Sequence, residues 1–154
     1  MRDLLIYTGG AVQYFLDKGD FYKASCWREN LRLMLRSAVL NEEMSSINSI
    51  SVYDPTWYFE ERRKYSTETI IDQNTYYLQK ADILVVNTFH LLDSPGTIRE
   101  ISYFYDHRKP RIGFNDNTML NGDPMANYTY TKMLTDNFKS LDEVVEYIKV
   151  CFYC

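Results

Sequence analysis

The segment from Ala81 to Phe114, ADILVVNTFHLLDSPGTIREISYFYDHRKPRIGF, constrains the fold more than any other part of the chain. Ile83–Asn87 is a short run of branched apolar residues, as expected of a strand buried on both faces. A loop follows, a helix opens near Thr97, and Arg111–Phe114 reads as the next strand. Two strands joined by a crossover helix point to parallel pairing in a layered α/β domain.

The rest of the chain repeats this alternation. Leu4–Tyr7 reads as a strand leaving through Thr8-Gly9-Gly10, and residues 11–22 as loop. Between Ala24 and Val39, Trp27, Leu31, Leu35 and Ala38 recur at helical spacing, with Arg28, Arg32 and Arg36 on another face. Asn41–Asn48 is a polar connection. Ile50–Tyr53 reads as a strand stopped at Asp54-Pro55. Trp57–Lys64 reads as a surface loop or lid. Thr67–Lys80 reads as a helix whose stripe is Ile70, Ile71, Tyr77, Leu78 and Ala81. Arg111–Phe114 ends at Asn115-Asp116-Asn117, and residues 118–137 carry no clear period. Ser140 and Glu143 form a capping box before a final helix containing Val144, Val145, Ile148 and Phe152. The expectation is one domain over residues 1–154, doubly wound α/β (flavodoxin/Rossmann-like), with a mainly parallel sheet of four to five strands.

Composition excludes several classes. With 154 residues, 45% hydrophobic and 25% charged, the chain has ordinary globular composition and can bury a sizeable core. A net charge of -4 and a pI of about 5.2 argue against a nucleic-acid partner, though not against single nucleotides. No apolar run is long enough to cross a membrane, and MRDLLIY lacks a signal-peptide layout. Cys26, Cys151 and Cys154 read as reduced thiols in the cytoplasm. His90 and His107 are the only histidines, so no metal site is expected. GxGxxG and GxxxxGK[ST] are both absent, and no cofactor is expected.

In doubly wound sheets ligands bind beyond the carboxyl ends of the strands. Here those ends are Tyr7–Gly10, Asp54, Asn87–Thr97 and Asn115–Asn117. Glu100 falls in the first turn of the third long helix, where the helix dipole would keep a carboxylate ionised. Such a residue is ordinarily a solvated surface carboxylate. Its place after Ser94, Gly96 and Thr97, whose hydroxyls and open backbone suit a sugar or phosphate, makes it a candidate nucleophile. Gly9 and Gly10 are either a plain tight turn or part of that edge. Tyr7 is either a packing aromatic or a donor that orients a carboxylate. Trp27 and Arg28 are either a core tryptophan with a surface arginine or ligand-edge residues. Asn74 lies four residues from both Ile70 and Leu78, so it is either satisfied in the core or faces a pocket. Asp72, about 200° around the helix from it at roughly 100° per residue, faces solvent.

In IYTGG, CWREN, VYDPTWYF, NTYYLQKADILVVN, SPGTIREISYFYDHRKPRIG and FKSLDEVVEYI, taken in order, the chain resembles the nucleoside 2-deoxyribosyltransferase family and its nucleoside 5′-monophosphate N-glycosidase relatives. The specific element is S-x-G-T-x-x-E after A-D-I-L-V-V-N. The resemblance implies cleavage of the N-glycosidic bond of 2′-deoxynucleosides or their 5′-monophosphates. Glu100 would attack the anomeric carbon and form a covalent glycosyl-enzyme, as in retaining glycosidases. A second base or water would then resolve it. Tyr7 would hold the nucleophile, and Gly9, Gly10, Trp27, Arg28, Asn87, Asp93, Ser94, Gly96, Thr97 and Asn115 would surround the substrate. The partner is then a small nucleoside or nucleotide, and the assembly a homo-oligomer, a dimer or larger.

Two positions depart from the family pattern. Asn74 stands where an aspartate commonly assists the leaving base, and a carboxamide cannot supply a proton. Ser94 stands where the transferases carry an aspartate for the sugar 5′-hydroxyl. The monophosphate N-glycosidases have a serine there, so Ser94, with Asp93 beside it, tilts the substrate toward a 5′-monophosphate. Two alternatives stand beside this reading: a nucleotide-binding or sensor module without turnover, and an unrelated flavodoxin-like protein.

Overall fold

The computed structural model describes residues 1–58, 65–115 and 124–152, with side chains over 1–58, 65–115 and 129–151. In chain order the elements are β1 (Arg2–Gly9), α1 (Gln13–Asp17), α2 (Phe21–Leu40), β2 (Ile47–Tyr53), α3 (Thr67–Lys80), β3 (Ile83–Asn87), α4 (Pro95–Asp106), β4 (Arg111–Phe114), α5 (Pro124–Met133), β5 (Asp136–Phe138) and α6 (Leu141–Phe152). Short 3-10 turns occupy Pro55–Tyr58 and Leu91–Asp93. The five strands form one sheet in the order β2-β1-β3-β4-β5, with every neighbouring pair parallel.

Alternation along the central strands builds two cores. Leu4, Ile6, Ile83 and Val85 face one side, where Leu31 and Leu35 of α2 meet Val144 and Ile148 of α6. Tyr7, Leu84 and Val86 face the other, against Leu78 of α3, Ile101 and Phe104 of α4, and Leu134. Because both faces of β3 are covered, its apolar run needs no polar alternation.

The four expected strands and four long helices all form, β1 and β2 extending further than their apolar runs. Helix α3 has the expected bounds, started by Ser66, whose hydroxyl accepts from the Thr69 N–H at 3.2 Å. Its stripe is buried only toward its carboxyl end: Leu78 is buried, whereas Ile71, two turns earlier on the same face, is 48% exposed. At α6 the Ser140 hydroxyl accepts from the Glu143 N–H at 3.3 Å, and Glu143 reaches back to the Lys139 N–H at 2.8 Å, one residue before the cap.

Three stretches differ from expectation. Residues 11–22 hold the helical turn α1, fastened by buried Phe15, and α2 starts at Phe21 rather than Ala24. The aperiodic stretch 118–137 holds α5 and the first two residues of the edge strand β5, which at three residues is too short to show an alternation. Helix α4 begins at Pro95, so Glu100 lies in its second turn. Proline at the first helical position has no N–H to leave unsatisfied, which favours this earlier start. Residues 59–64 of the loop or lid expected over Trp57–Lys64, Asp116-Asn117, the Phe152 side chain, Tyr153 and Cys154 lie outside what is described. Among the described residues no helix is long and apolar enough to cross a membrane.

Candidate active site

Strand β1 runs between β2 and β3, so its carboxyl end is flanked by theirs along the sheet edge. There the Tyr7 hydroxyl donates to Glu100 Oε1 at 3.1 Å, joining β1 to α4 across 93 residues of sequence. Glu100 Oε2 is buried and accepts no hydrogen bond among the described residues. It lies against the β1 backbone: a Cβ on Gly9 would stand 2.7 Å from it. Glycine at position 9 is therefore what lets the carboxylate come so close.

The sequence led us to expect a carboxylate held ionised by its helix, and the environment does the reverse. Burial pushes the Glu100 carboxyl up to about 7, against the lowering effect of the Tyr7 hydrogen bond and the charges of Arg28 and Arg99. In the second turn the helix dipole is weak, while loss of water acts at full strength. Burial, followed by the Glu100 charge, likewise raises the Tyr7 phenol, so the hydroxyl stays a donor.

Glu100 lines a cavity of about 260 Å³. Ser94, Pro95, Gly96 and Thr97 at the start of α4 form one wall. The Ser94 and Thr97 hydroxyls pair at 2.7 Å, and no side chain caps the helix. The N–H groups of Gly96 and Thr97, in the first turn, have no intrahelical acceptor, and the helix end favours an anion. Asp93 also lines the cavity, its carboxylate drawn to His90 Nδ1 at 3.0 Å. His90, in a left-handed conformation with φ 53°, stacks on Tyr14 with ring centres 3.7 Å apart.

Opposite walls come from α2, α3 and the β1 exit. Arg28 reaches the cavity though it is only 1% exposed. Its guanidinium donates to Thr8 Oγ1 at 3.1 Å, to the Gly10 carbonyl at 3.2 Å and to the Ala24 carbonyl, with Asp54 Oδ1 3.7 Å from Nε. Asp54 accepts from the Thr56 N–H and hydroxyl at 2.8 and 2.6 Å. Asn74 of α3 lines the same cavity, and its Oδ1 accepts from the Tyr53 hydroxyl at 2.6 Å. Asp72 is exposed.

Of the residues singled out in the sequence, Gly10, Arg28, Asn74, Asp93, Ser94, Gly96, Thr97 and Glu100 thus meet around one space, with Tyr7 and Gly9 directly behind Glu100. Trp27, Asn87 and Asn115 stand outside the lining. Trp27 packs edge-on against Phe114 with ring centres 5.1 Å apart, and Asn87 Oδ1 accepts from the Phe89 N–H at 3.1 Å, shaping the turn after β3. Asn115 follows β4, its N–H bonded to the Phe138 carbonyl at 3.0 Å. Sequence reasoning did not single out Thr8, Tyr53 or Asp54 individually. Their signal was positional, since all three sit at strand carboxyl ends. Among the described residues no three His, Cys, Asp or Glu side chains gather to hold a metal ion.

No protein-family profile and no curated protein sequence matches the chain. Solved structures do. A 2-deoxyribosyltransferase from the psychrotolerant bacterium Bacillus psychrosaccharolyticus matches 92% of this chain and 90% of its own at 16% identity, with a TM-score of 0.62. A conserved protein from Enterococcus faecalis V583 matches 96% of this chain and 98% of its own, also at 16% identity, with a TM-score of 0.64. The chain therefore shares the fold of a 2-deoxyribosyltransferase over nearly its whole described length.

Proposed function

We propose that this protein cleaves the N-glycosidic bond of 2′-deoxynucleosides or their 5′-monophosphates through a covalent glycosyl-Glu100 intermediate, passing the sugar to another base or to water. One observation carries the reading: a buried carboxylate, fixed through one oxygen by Tyr7 and without a hydrogen-bond partner at the other among the described residues, faces a cavity at the carboxyl edge of a parallel sheet. An anion in so dry a place is strongly stabilised by a cation. The positive charge that grows on C1′ as the base departs is such a cation, and attack then converts the ion pair to a bond. The likeness in fold to a 2-deoxyribosyltransferase supports the same chemistry.

The 5′-monophosphate is the favoured form. Ser94 and the first-turn N–H groups of Gly96 and Thr97, which have no acceptor within the helix, offer a phosphate donors and the positive end of a 12-residue helix. Asp93, the carboxylate that would repel it, is engaged by His90. The reading includes a homo-oligomer, for which Trp57, Tyr65, Ile71 and Tyr76, each about half exposed, supply apolar surface.

The decisive experiment incubates the protein with deoxynucleosides and their 5′-monophosphates, with and without a second base, and follows released base and exchanged product. Release from a 5′-monophosphate is expected, with Glu100→Ala reducing it on the order of 10⁴-fold. Turnover that survives this substitution removes the nucleophile.

Asn74 favours a second reading, a nucleotide-binding module of the same fold. Calorimetric binding of a deoxynucleotide with no base released over hours selects it, and turnover gained by Asn74→Asp would connect the two.

A further inference from the structure

We infer that Tyr53 fixes Asn74 as a hydrogen-bonding contact for the departing base that cannot protonate it, so that this site releases bases able to leave as stabilised anions and disfavours bases that must be protonated to leave. This rests on the glycosidic-cleavage reading and deepens it by naming the class of leaving group.

The Tyr53 hydroxyl has little freedom. Its residue is 3% exposed, its ring is stacked on Tyr77 with centres 4.3 Å apart, and it leans on Tyr7 at 5.2 Å. Donation to Asn74 Oδ1 at 2.6 Å takes one of the two lone pairs of the amide oxygen and fixes the amide's orientation. The Nδ2 hydrogens that Asn74 can offer the cavity donate but are not ionisable protons. The phenol behind it is no acid either, because burial and the neighbouring Tyr58 and Tyr77 hydroxyls push it up from its ordinary value.

The inference puts Asn74 against the base. With C1′ at Glu100 and the 5′ substituent at the start of α4, the remaining lining includes Asn74 and Pro55, together with Val12, Gln13 and an Arg28 already committed to Thr8 and two backbone carbonyls. Among the described residues the lining holds two carboxyl groups. Glu100 is consumed in forming the new bond. Asp93 is at the 5′ end, bound to His90.

The step then balances without an acid. A lone pair of the Glu100 carboxylate forms the C1′–O bond while the C1′–N bond breaks. The bonding pair stays on the base nitrogen, so one negative charge passes from Glu100 to the base. An Asn74 Nδ2–H donates to a carbonyl oxygen or ring nitrogen of that anion, and water protonates the base after it leaves. Pyrimidines bearing a carbonyl and an electron-withdrawing substituent suit this route. Adenine, which departs readily only when a ring nitrogen is protonated, does not.

The test measures base release from 2′-deoxyuridine 5′-monophosphate, its 5-fluoro and 5-bromo analogues, thymidine 5′-monophosphate and 2′-deoxyadenosine 5′-monophosphate. For the unmodified protein we expect release to rise roughly fivefold or more for each tenfold gain in acidity of the base N–H. Asn74→Asp should flatten that dependence and speed the least acidic base most. Tyr53→Phe, which frees the amide to turn, should lower kcat across the series, and reversal of the loss by Asn74→Asp in the same background would mark Tyr53 as a positioning residue. Equal rates across the pyrimidines, preferred release of adenine, or an unchanged slope in Asn74→Asp overturns the inference. Glu100→Gln separates the two levels. If release is abolished there while the slope is flat, the leaving-group inference alone fails. If release survives there, or is absent from every substrate, the cleavage reading fails and takes this one with it.

Discussion

Two ionisable side chains are buried around the same cavity at the carboxyl edge of the sheet, and they are treated in opposite ways. Around Arg28 the guanidinium meets Thr8, two backbone carbonyls and Asp54, and Asp54 in turn accepts from Thr56. Around Glu100 one oxygen meets Tyr7 and the other accepts no hydrogen bond among the described residues. Burial costs both charges free energy. The first is compensated until it becomes scaffold, tying β1 to α2 and to the end of β2. The second keeps part of its cost, and that remainder is what a cationic transition state can relieve. In the proposed reaction, this difference separates a group that holds the cavity from the one that would react in it.

Removing the compensated charge should give the largest structural effect. Arg28→Met leaves Asp54 buried with only Thr56 for company, and burial already raises the Asp54 carboxyl despite Arg28. A loss of about 4 kcal/mol in unfolding free energy is expected, measured by denaturant titration at neutral pH. A loss under 1 kcal/mol would mean that the network is not scaffold and would dissolve the contrast.

Removing the uncompensated charge should do the opposite. The folded-state value of Glu100 is about 7, above the ordinary 4.5. Between those values the folded protein binds more protons than the unfolded chain, so this group's contribution falls as pH rises and is fully unfavourable above pH 7. Glu100→Gln should therefore stabilise the fold by up to about 3 kcal/mol at pH 8 and by little at pH 4.5, while abolishing turnover. Thermal unfolding of both proteins at the two pH values checks this. Equal melting temperatures at pH 8 would place Glu100 in contact with water.

Much of this edge was legible in the sequence, and for a local reason. Ser94 to Glu100 are seven consecutive residues, and a strand, a proline-glycine loop and a helix start can be read without knowing any distant partner. Tyr7 and the diglycine were legible as the exit of an apolar strand. For Arg28 the sequence left a surface and a ligand-edge reading open, because its spacing with Arg32 and Arg36 reads as a polar face. What draws it in is a convergence of Thr8, Gly10 and Asp54 that exists only after folding. The ionisation of Glu100 was misread for the same reason: the helix dipole is a local property and desolvation a tertiary one. Helix α5 and β5 left no periodic trace, and Tyr53 gave no sign that its hydroxyl would orient Asn74.

Gly9 tests how closely the carboxylate must sit. Gly9→Ala puts a methyl group 2.7 Å from Oε2, with Leu84 and Thr97 side-chain carbons at 3.5 Å closing the other directions. The methyl group cannot move away, so Glu100 must swing. A displacement near 1 Å should lower kcat about 100-fold with a much smaller change in KM, read by steady-state kinetics on the best 5′-monophosphate. Unchanged kcat would show that the reacting geometry lies elsewhere in the cavity.

Tyr7 gives the smallest and most diagnostic effect. Its hydroxyl lowers the Glu100 value against a larger rise from burial. Attack on C1′ requires the carboxylate, so turnover should climb as pH rises through about 7 and level off above it. Tyr7→Phe removes a hydrogen bond that favours the anion, and the acid limb must then move to higher pH. At pH 7 the combined loss of ionised enzyme and of orientation should be roughly tenfold, shrinking as the pH approaches 9. A loss that stays the same at every pH would mean that Tyr7 positions the carboxylate without stabilising its charge. The imbalance at Glu100 would then arise from burial alone, and the contrast with Arg28 would reduce to a difference in the number of partners.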